Sequence, residues 1–189
     1  MRRGCWVAEL RTDRLILRAP VAADLAWQQQ WLNTDGVRRH LGGVIDGGAF
    51  AAGFERNAAA FAAGDPGFFT VVSRDTGEPV GKCGFSPIET DRAPPVLAGQ
   101  LQVGWTLAEP FWGQGLASEA ARAVVTHAFA QPGLAVLWAQ TSDSNLGSTK
   151  VMARLGFVRR ADLDYVDPDY PAADNPTTVY RMAREEWTG

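Results

Sequence analysis

The stretch from Leu101 to Phe129 constrains this chain more than any other. Leu101, Val103, Trp105 and Leu107 alternate with Gln100, Gln102, Gly104 and Thr106, the period-two pattern of a strand with unlike faces. Pro110 ends it. After Trp112-Gly-Gln-Gly-Leu-Ala117, two rows with a spacing of four begin: Leu116, Ala120, Val124 and Ala128, then Ala117, Ala121, Val125 and Phe129. On a 3.6-residue helix those rows are adjacent and form one apolar stripe. The order is strand, turn, amphipathic helix.

That order has a chemical consequence. A helix starts with free backbone N–H groups and the positive end of its dipole, so its first turn attracts anions. Gly113 and Gly115 carry no Cβ, which lets a bulky anion come close to the backbone. Two phosphate-binding motifs are excluded. No Lys follows Gly115, so this is not a Walker loop, and Ser118 stands where a dinucleotide fingerprint needs a third glycine. Gly-x-Gly alone reads more readily as a plain turn than as an anion site.

The wider pattern is more specific. Trp112-Gly-Gln-Gly-Leu-Ala117 after a strand resembles the pyrophosphate motif of the GNAT acetyltransferase superfamily, Arg/Gln-x-x-Gly-x-Gly/Ala, with Trp112 departing from its first position. Asn145-Leu-Gly-Ser-Thr-Lys-Val-Met-Ala-Arg-Leu-Gly-Phe157 resembles the second acetyl-CoA segment of that superfamily. Leu10-Arg-Thr-Asp-Arg-Leu-Ile-Leu-Arg18 and Arg184-Glu-Glu-Trp187 resemble its ribosomal-protein N-terminal acetyltransferase branch. The resemblance implies a mixed α+β fold with a mostly antiparallel sheet of about seven strands, helices on both faces, and fourth and fifth strands that splay around a cofactor arm. It implies acetyl-CoA as donor and a primary amine as acceptor, such as a protein or peptide N-terminal α-amine, with direct attack in a ternary complex. An antibiotic or polyamine acetylase, or a catalytically silent acyl-CoA-binding protein, are the alternatives.

Site residues follow from the same resemblance. The amides of Trp105, Thr106 and Leu107 would pair with the pantetheine arm and polarise the acetyl carbonyl. Trp112, Gly113, Gln114, Gly115, Leu116, Ala117 and Ser118 would hold the pyrophosphate, and Asn145 the arm. Ser148 would protonate the departing thiolate, although both Asn145 and Ser148 also suit helix capping. Gln102 stands where relatives often carry a catalytic Glu, and a neutral amide cannot take up a proton as a carboxylate does. A water chain, Glu109 or an acid between Asp164 and Asp174 is left to act as base. His40, beside a glycine-rich loop, could approach the acceptor; His127 lies off the apolar stripe.

Composition agrees with one domain spanning residues 1–189. Hydrophobic residues make up 46%, with seven Trp and nine Phe, enough for a packed core. A net charge of −3 argues against nucleic acid as a partner. Cys5 and Cys83 give neither a disulfide framework nor metal-ligand spacing, so no metal is expected. No apolar run reaches the ~18 residues of a membrane span and no signal-peptide segment opens the chain, so a cytoplasmic protein without membrane attachment is expected. A homodimer is left open.

Further elements are read from local patterns. Strands are expected at Arg14–Arg18, Phe68–Ser73, Val80–Phe85, Ala135–Thr141, Val158–Leu163 and Thr178–Ala183, and helices at Ala22–Asn33, Ala49–Ala63 and Asn145–Leu155. Trp27 and Trp31 share one helix face, as core aromatics or acceptor walls. Gly42-Gly43 and Gly47-Gly48 mark a mobile loop. Asp164, Asp167, Asp169 and Asp174 suggest an acidic rim that attracts a cationic amine.

Overall fold

Strands β2 (Leu15–Arg18), β3 (Phe68–Ser73), β4 (Pro79–Pro87) and β5 (Leu101–Leu107) pair antiparallel in sequence order, each hydrogen-bonded to the next. These come from a computed structural model that describes residues 9–189; the reading of Cys5 and of the opening residues as free of a signal peptide lies outside them. A short strand that the sequence did not announce, β1 (Glu9–Arg11), extends the edge beside β2. On the other side come β6 (Val136–Ser142), β8 (Thr177–Ala183) and β7 (Val158–Arg159), giving eight strands in the order β1-β2-β3-β4-β5-β6-β8-β7.

One junction breaks the regularity. β5 and β6 run parallel and pair only at Gln102 and Trp138, so the strands part beyond that point. The crossover between them is α4 (Leu116–Ala130), whose stripe Leu116, Ala120, Ala121, Val124, Val125, Ala128 and Phe129 is buried, as the spacing demanded. It packs on Leu15, Leu17, Val71, Phe85, Val103 and Leu137, together with Met152 and Leu155 of α5 (Leu146–Leu155). Burying such side chains contributes ~1.5–3 kcal/mol each, which makes this layer the main source of stability.

The opposite face carries α1 (Asp24–Leu32), α2 (Asp35–Arg38) and α3 (Gly47–Ala63). The buried positions of α1 are Asp24, Gln28 and Leu32, not its tryptophans. Arg18 grips Asp24 with both terminal nitrogens at 2.7 Å, and Thr70 of β3 donates to Asp24 at 2.8 Å and accepts from Gln28 at 3.3 Å. A polar network therefore docks α1, while Trp31 stays exposed and Trp27 lies half-buried against Leu32, Val37, Phe50 and Ala108.

Two expectations change. The strand expected over Val158–Leu163 stops at Arg159, because Arg160 and Asp162 pair and Ala161–Leu163 coil into a 3-10 turn. The glycine loop after α2 is tied down: Arg38 donates to the carbonyls of Leu41 (2.8 Å) and Gly43, and Gly47-Gly48 already belong to α3, capped by Asp46.

Candidate functional site

The parting of β5 and β6 opens a groove of about 700 Å³. Its floor is Trp105, Thr106 and Leu107; the 3-10 turn Glu109–Phe111 and the turn into α4 line one end, and Ser144 to Ser148 and Val151 at the start of α5 line the other. Leu41, His40 and Gly36 come over from the segment after α1.

Pairing decides which backbone groups face it. Ala108 donates to Val80 of β4 and Thr106 stands opposite Lys82, so these alternate positions are engaged by β4. Period two leaves Trp105 and Leu107 on the edge turned towards β6, which has no ladder partner there. The Leu107 carbonyl accepts from the Trp112 indole at 2.7 Å. Of the three amides expected on the groove, Thr106 is thus the exception.

The turn into α4 is held from outside. Glu119, in the first turn of α4, accepts from the Thr12 hydroxyl (2.5 Å), the Arg14 amide (2.9 Å) and the Arg14 Nε (2.6 Å). Arg14 also donates to the Gln114 carbonyl at 3.0 Å. Burial pushes the Glu119 carboxyl up, but these donors more than offset it and hold it below its ordinary range. Thr12 and Arg14 in the opening motif therefore act on a turn a hundred residues away, which no local pattern reveals. Gly115 caps α4 with φ +78°, a conformation that L side chains avoid.

One atom in this turn lacks a partner. Ser118 Oγ is buried, belongs to a groove-lining residue, and makes no hydrogen bond among the described residues. A buried hydroxyl without a partner costs free energy, and an anion seated on the N-terminus of α4 would satisfy it together with the free amides. The residues present therefore fit a pyrophosphate. Gln114 is the member of the expected set that does not line the groove; its side chain turns back to the Pro110 carbonyl at 2.8 Å.

Asn145 caps α5 by accepting the Ser148 amide at 3.1 Å, and both residues line the groove. Capping and groove lining coexist: the Asn145 oxygen is used by the helix, and its amide nitrogen has no described partner. Gln102 lies elsewhere. It sits at the β5–β6 contact, outside the groove lining, and its amide donates to Ser86 at 3.4 Å.

The acidic loop is not a rim. Asp164 pairs with Arg159 at 2.7 Å and accepts the Val179 amide; Asp167 is buried and accepts the Asp169 amide; Asp174 is buried against His40. Only Asp169 is exposed among them, so most of these carboxylates are turned into the protein instead of towards an acceptor. His127 is half-buried on α4, away from the groove, and burial lowers its pKa.

Residues 14–158 match the model of the family described as Acetyltransferase (GNAT) domain. The chain belongs to the GNAT acetyltransferase family. A structure from Agrobacterium tumefaciens described as an acetyltransferase superposes with a TM-score of 0.74 at 28% identity, covering 94% of this chain and 95% of that one. A structure described as a ribosomal L7/L12 alpha-N-protein acetyltransferase in complex with coenzyme A shares the fold at a TM-score of 0.71, with 18% identity over 93% and 97% of the chains. In sequence, the chain is 34% identical over 124 residues to an FsC-acetyl coenzyme A-N(2)-transacetylase of Aspergillus fumigatus, covering 65% of this chain and 53% of that protein. It is 30% identical over 98 residues to an N-acetyltransferase of Bacillus licheniformis named p20, covering 51% and 52%. The matches span about half the length of these two relatives.

Among the described residues no group of His, Cys, Asp and Glu could hold a metal ion, and no helix is long and apolar enough to cross a membrane.

Proposed function

We propose that this GNAT domain transfers an acetyl group from acetyl-CoA to an α-amine, on a peptide or protein N-terminus. The observation that carries the reading is the groove itself: a strand edge without a partner leads from a helix N-terminus with an unsatisfied buried hydroxyl to Ser148. The turn from Trp112 to Ser118 would receive the pyrophosphate, with the Gly115-capped amides and Ser118 Oγ as donors. The amides of Trp105 and Leu107 would bind the pantetheine arm and polarise the acetyl carbonyl. Preorganised donors of this type are typically worth ~10²–10³-fold each. Ser148 would supply a proton to the departing sulfur. Acetyl-CoA contributes the activated acyl group.

The acceptor class rests on the missing carboxylate. Gln102 offers no carboxylate, which favours amines already partly neutral: an α-amine at ~7.7–8.0 over a lysine side chain at ~10.4. The structure described as an alpha-N-protein acetyltransferase is in keeping with this class.

The test is a steady-state assay of thiol release with one peptide bearing a free α-amine, the same peptide blocked there but carrying Lys, and a panel of polyamines and aminoglycosides. Faster turnover of the free α-amine is expected. Preference for the blocked peptide or for the small-molecule panel would refute the acceptor class. Failure of coenzyme A to bind in calorimetry would refute the donor.

A further inference from the structure

His40 and Asp174 are 134 residues apart, yet His40 Nδ1 and Asp174 Oδ1 lie 2.7 Å from each other. Ser144 donates to the same carboxylate oxygen at 2.5 Å and Ser142 at 3.3 Å. The cluster joins three segments: the loop after α2, the end of β6, and the stretch before β8. Asp174 is only 7% exposed. Burial alone would push its carboxyl up, but the Ser144, His40 and Ser142 donors hold it below its ordinary range, so it is ionised at neutral pH.

An ionised carboxylate accepts and never donates. The 2.7 Å contact therefore places the hydrogen on Nδ1, and in the neutral ring Nε2 keeps its lone pair. No described residue hydrogen-bonds to Nε2, and His40 lines the groove together with Ser144, Asn145 and Ser148. The loop that bears it is held by Arg38, so the ring is placed by hydrogen bonds on both sides.

We propose that His40 is the general base of this enzyme and Asp174 its positioning residue, which replaces the carboxylate that Gln102 lacks. The proposal rests on the acetyl-transfer reading above. Nε2 takes one proton from the acceptor ammonium. The freed lone pair forms the C–N bond to the acetyl carbon as the C–S bond breaks, and the second proton of the nitrogen reaches the sulfur through Ser148. His40 then releases its proton to solvent. The charged and titratable groups around it are Asp174 and Tyr170 from the segment before β8, Arg38 and Arg39 from the end of α2, and Glu109 across the groove.

His40→Gln is the decisive variant, because a glutamine amide can still donate to Asp174 and keep the loop tied, but cannot accept a proton. With the α-amine peptide at neutral pH, kcat/KM should fall ~10²-fold or more, while coenzyme A affinity by calorimetry stays within about twofold. The ascending limb of the kcat/KM–pH profile should be present in the wild type and absent in His40→Gln. Asp174→Asn should lower kcat more than it changes KM, with partial recovery in Asp174→Glu. A readout independent of turnover is ¹⁵N NMR: the chain has two histidines, so His40→Gln assigns the His40 signal, which should show Nδ1 protonated and Nε2 bare. Wild-type rate and an intact limb in His40→Gln would overturn the proposal, as would a protonated Nε2 in the neutral ring. If lysine peptides win but His40→Gln still loses the limb, the acceptor class falls and the base stands. If α-amines win and His40→Gln is fully active, the base falls alone. A wild type silent on every amine overturns both.

Discussion

Ser148 lines the groove with its backbone amide committed to Asn145, so its hydroxyl can serve chemistry without costing the helix its cap. A proton delivered to sulfur matters only as charge develops there. Ser148→Ala should therefore lower kcat about tenfold with little change in acetyl-CoA affinity, as measured with saturating donor. Gly115→Asp should do the opposite: it adds a side chain to a left-handed backbone, at ~1–2 kcal/mol, and a negative charge at the anion site. Calorimetry should show coenzyme A binding lost while the far-UV spectrum survives. Lys82 makes a different case. Its ammonium lies 5.3 Å from the centre of the Phe68 ring with no carboxylate partner, and burial, with Arg38 adding repulsion, pushes it down to about 8. Because the folded value lies below the unfolded ~10.4, the cost of charging it is fully present below pH 8 and is relieved as pH rises towards 10. Lys82→Met should raise Tm at pH 7 by a few degrees, and the gain should shrink by pH 10.

At the scale of elements, the sequence carried the parts that have a period. The β5–turn–α4 unit, β3, α5 with its Gly156 cap and β8 were legible because alternation, the spacing of four and helix caps are local signals. What it hid was contact at a distance. β1 and α2, of three and four residues, are too short to show a period and exist through their neighbours. Asp24 and Gln28 look like the solvent side of α1 until Thr70 and Arg18 are brought beneath them. Asp174 reads as one acid among four until the chain closes on His40. The Arg14–Glu119 brace is the clearest instance, and it makes a prediction. Glu119→Gln weakens the charge-assisted bonds that hold the first turn of α4 and, through Arg14, the Gln114 carbonyl. Coenzyme A affinity should drop several-fold in calorimetry with Tm only modestly lower. A large loss of Tm at unchanged affinity would show the brace to be structural alone.

For the whole molecule, acid should be the weak side. Asp24, Glu119 and Asp174 are each pushed up by burial and pulled further down by their donors, so all three have folded values below their unfolded ones. Their contribution is present above the ordinary carboxylate range and is lost as pH falls through the folded values. Thermal melts from pH 7 to pH 3 should show a steep fall below about pH 4, and Asp24→Asn should flatten part of it. A second consequence follows from the single rung between β5 and β6. Mechanically, the sheet is two plates meeting along a seam, a five-stranded one and a three-stranded one, and the seam carries almost no backbone cross-links of its own. Pulled across that line, or breathing in solution, the protein should yield there first. A ligand laid along the seam would act as a strut between the plates. Amides of Trp105 and Leu107 should then exchange with deuterium among the fastest in the sheet of the free protein, and slow sharply with coenzyme A, while the β3–β4 ladder barely changes.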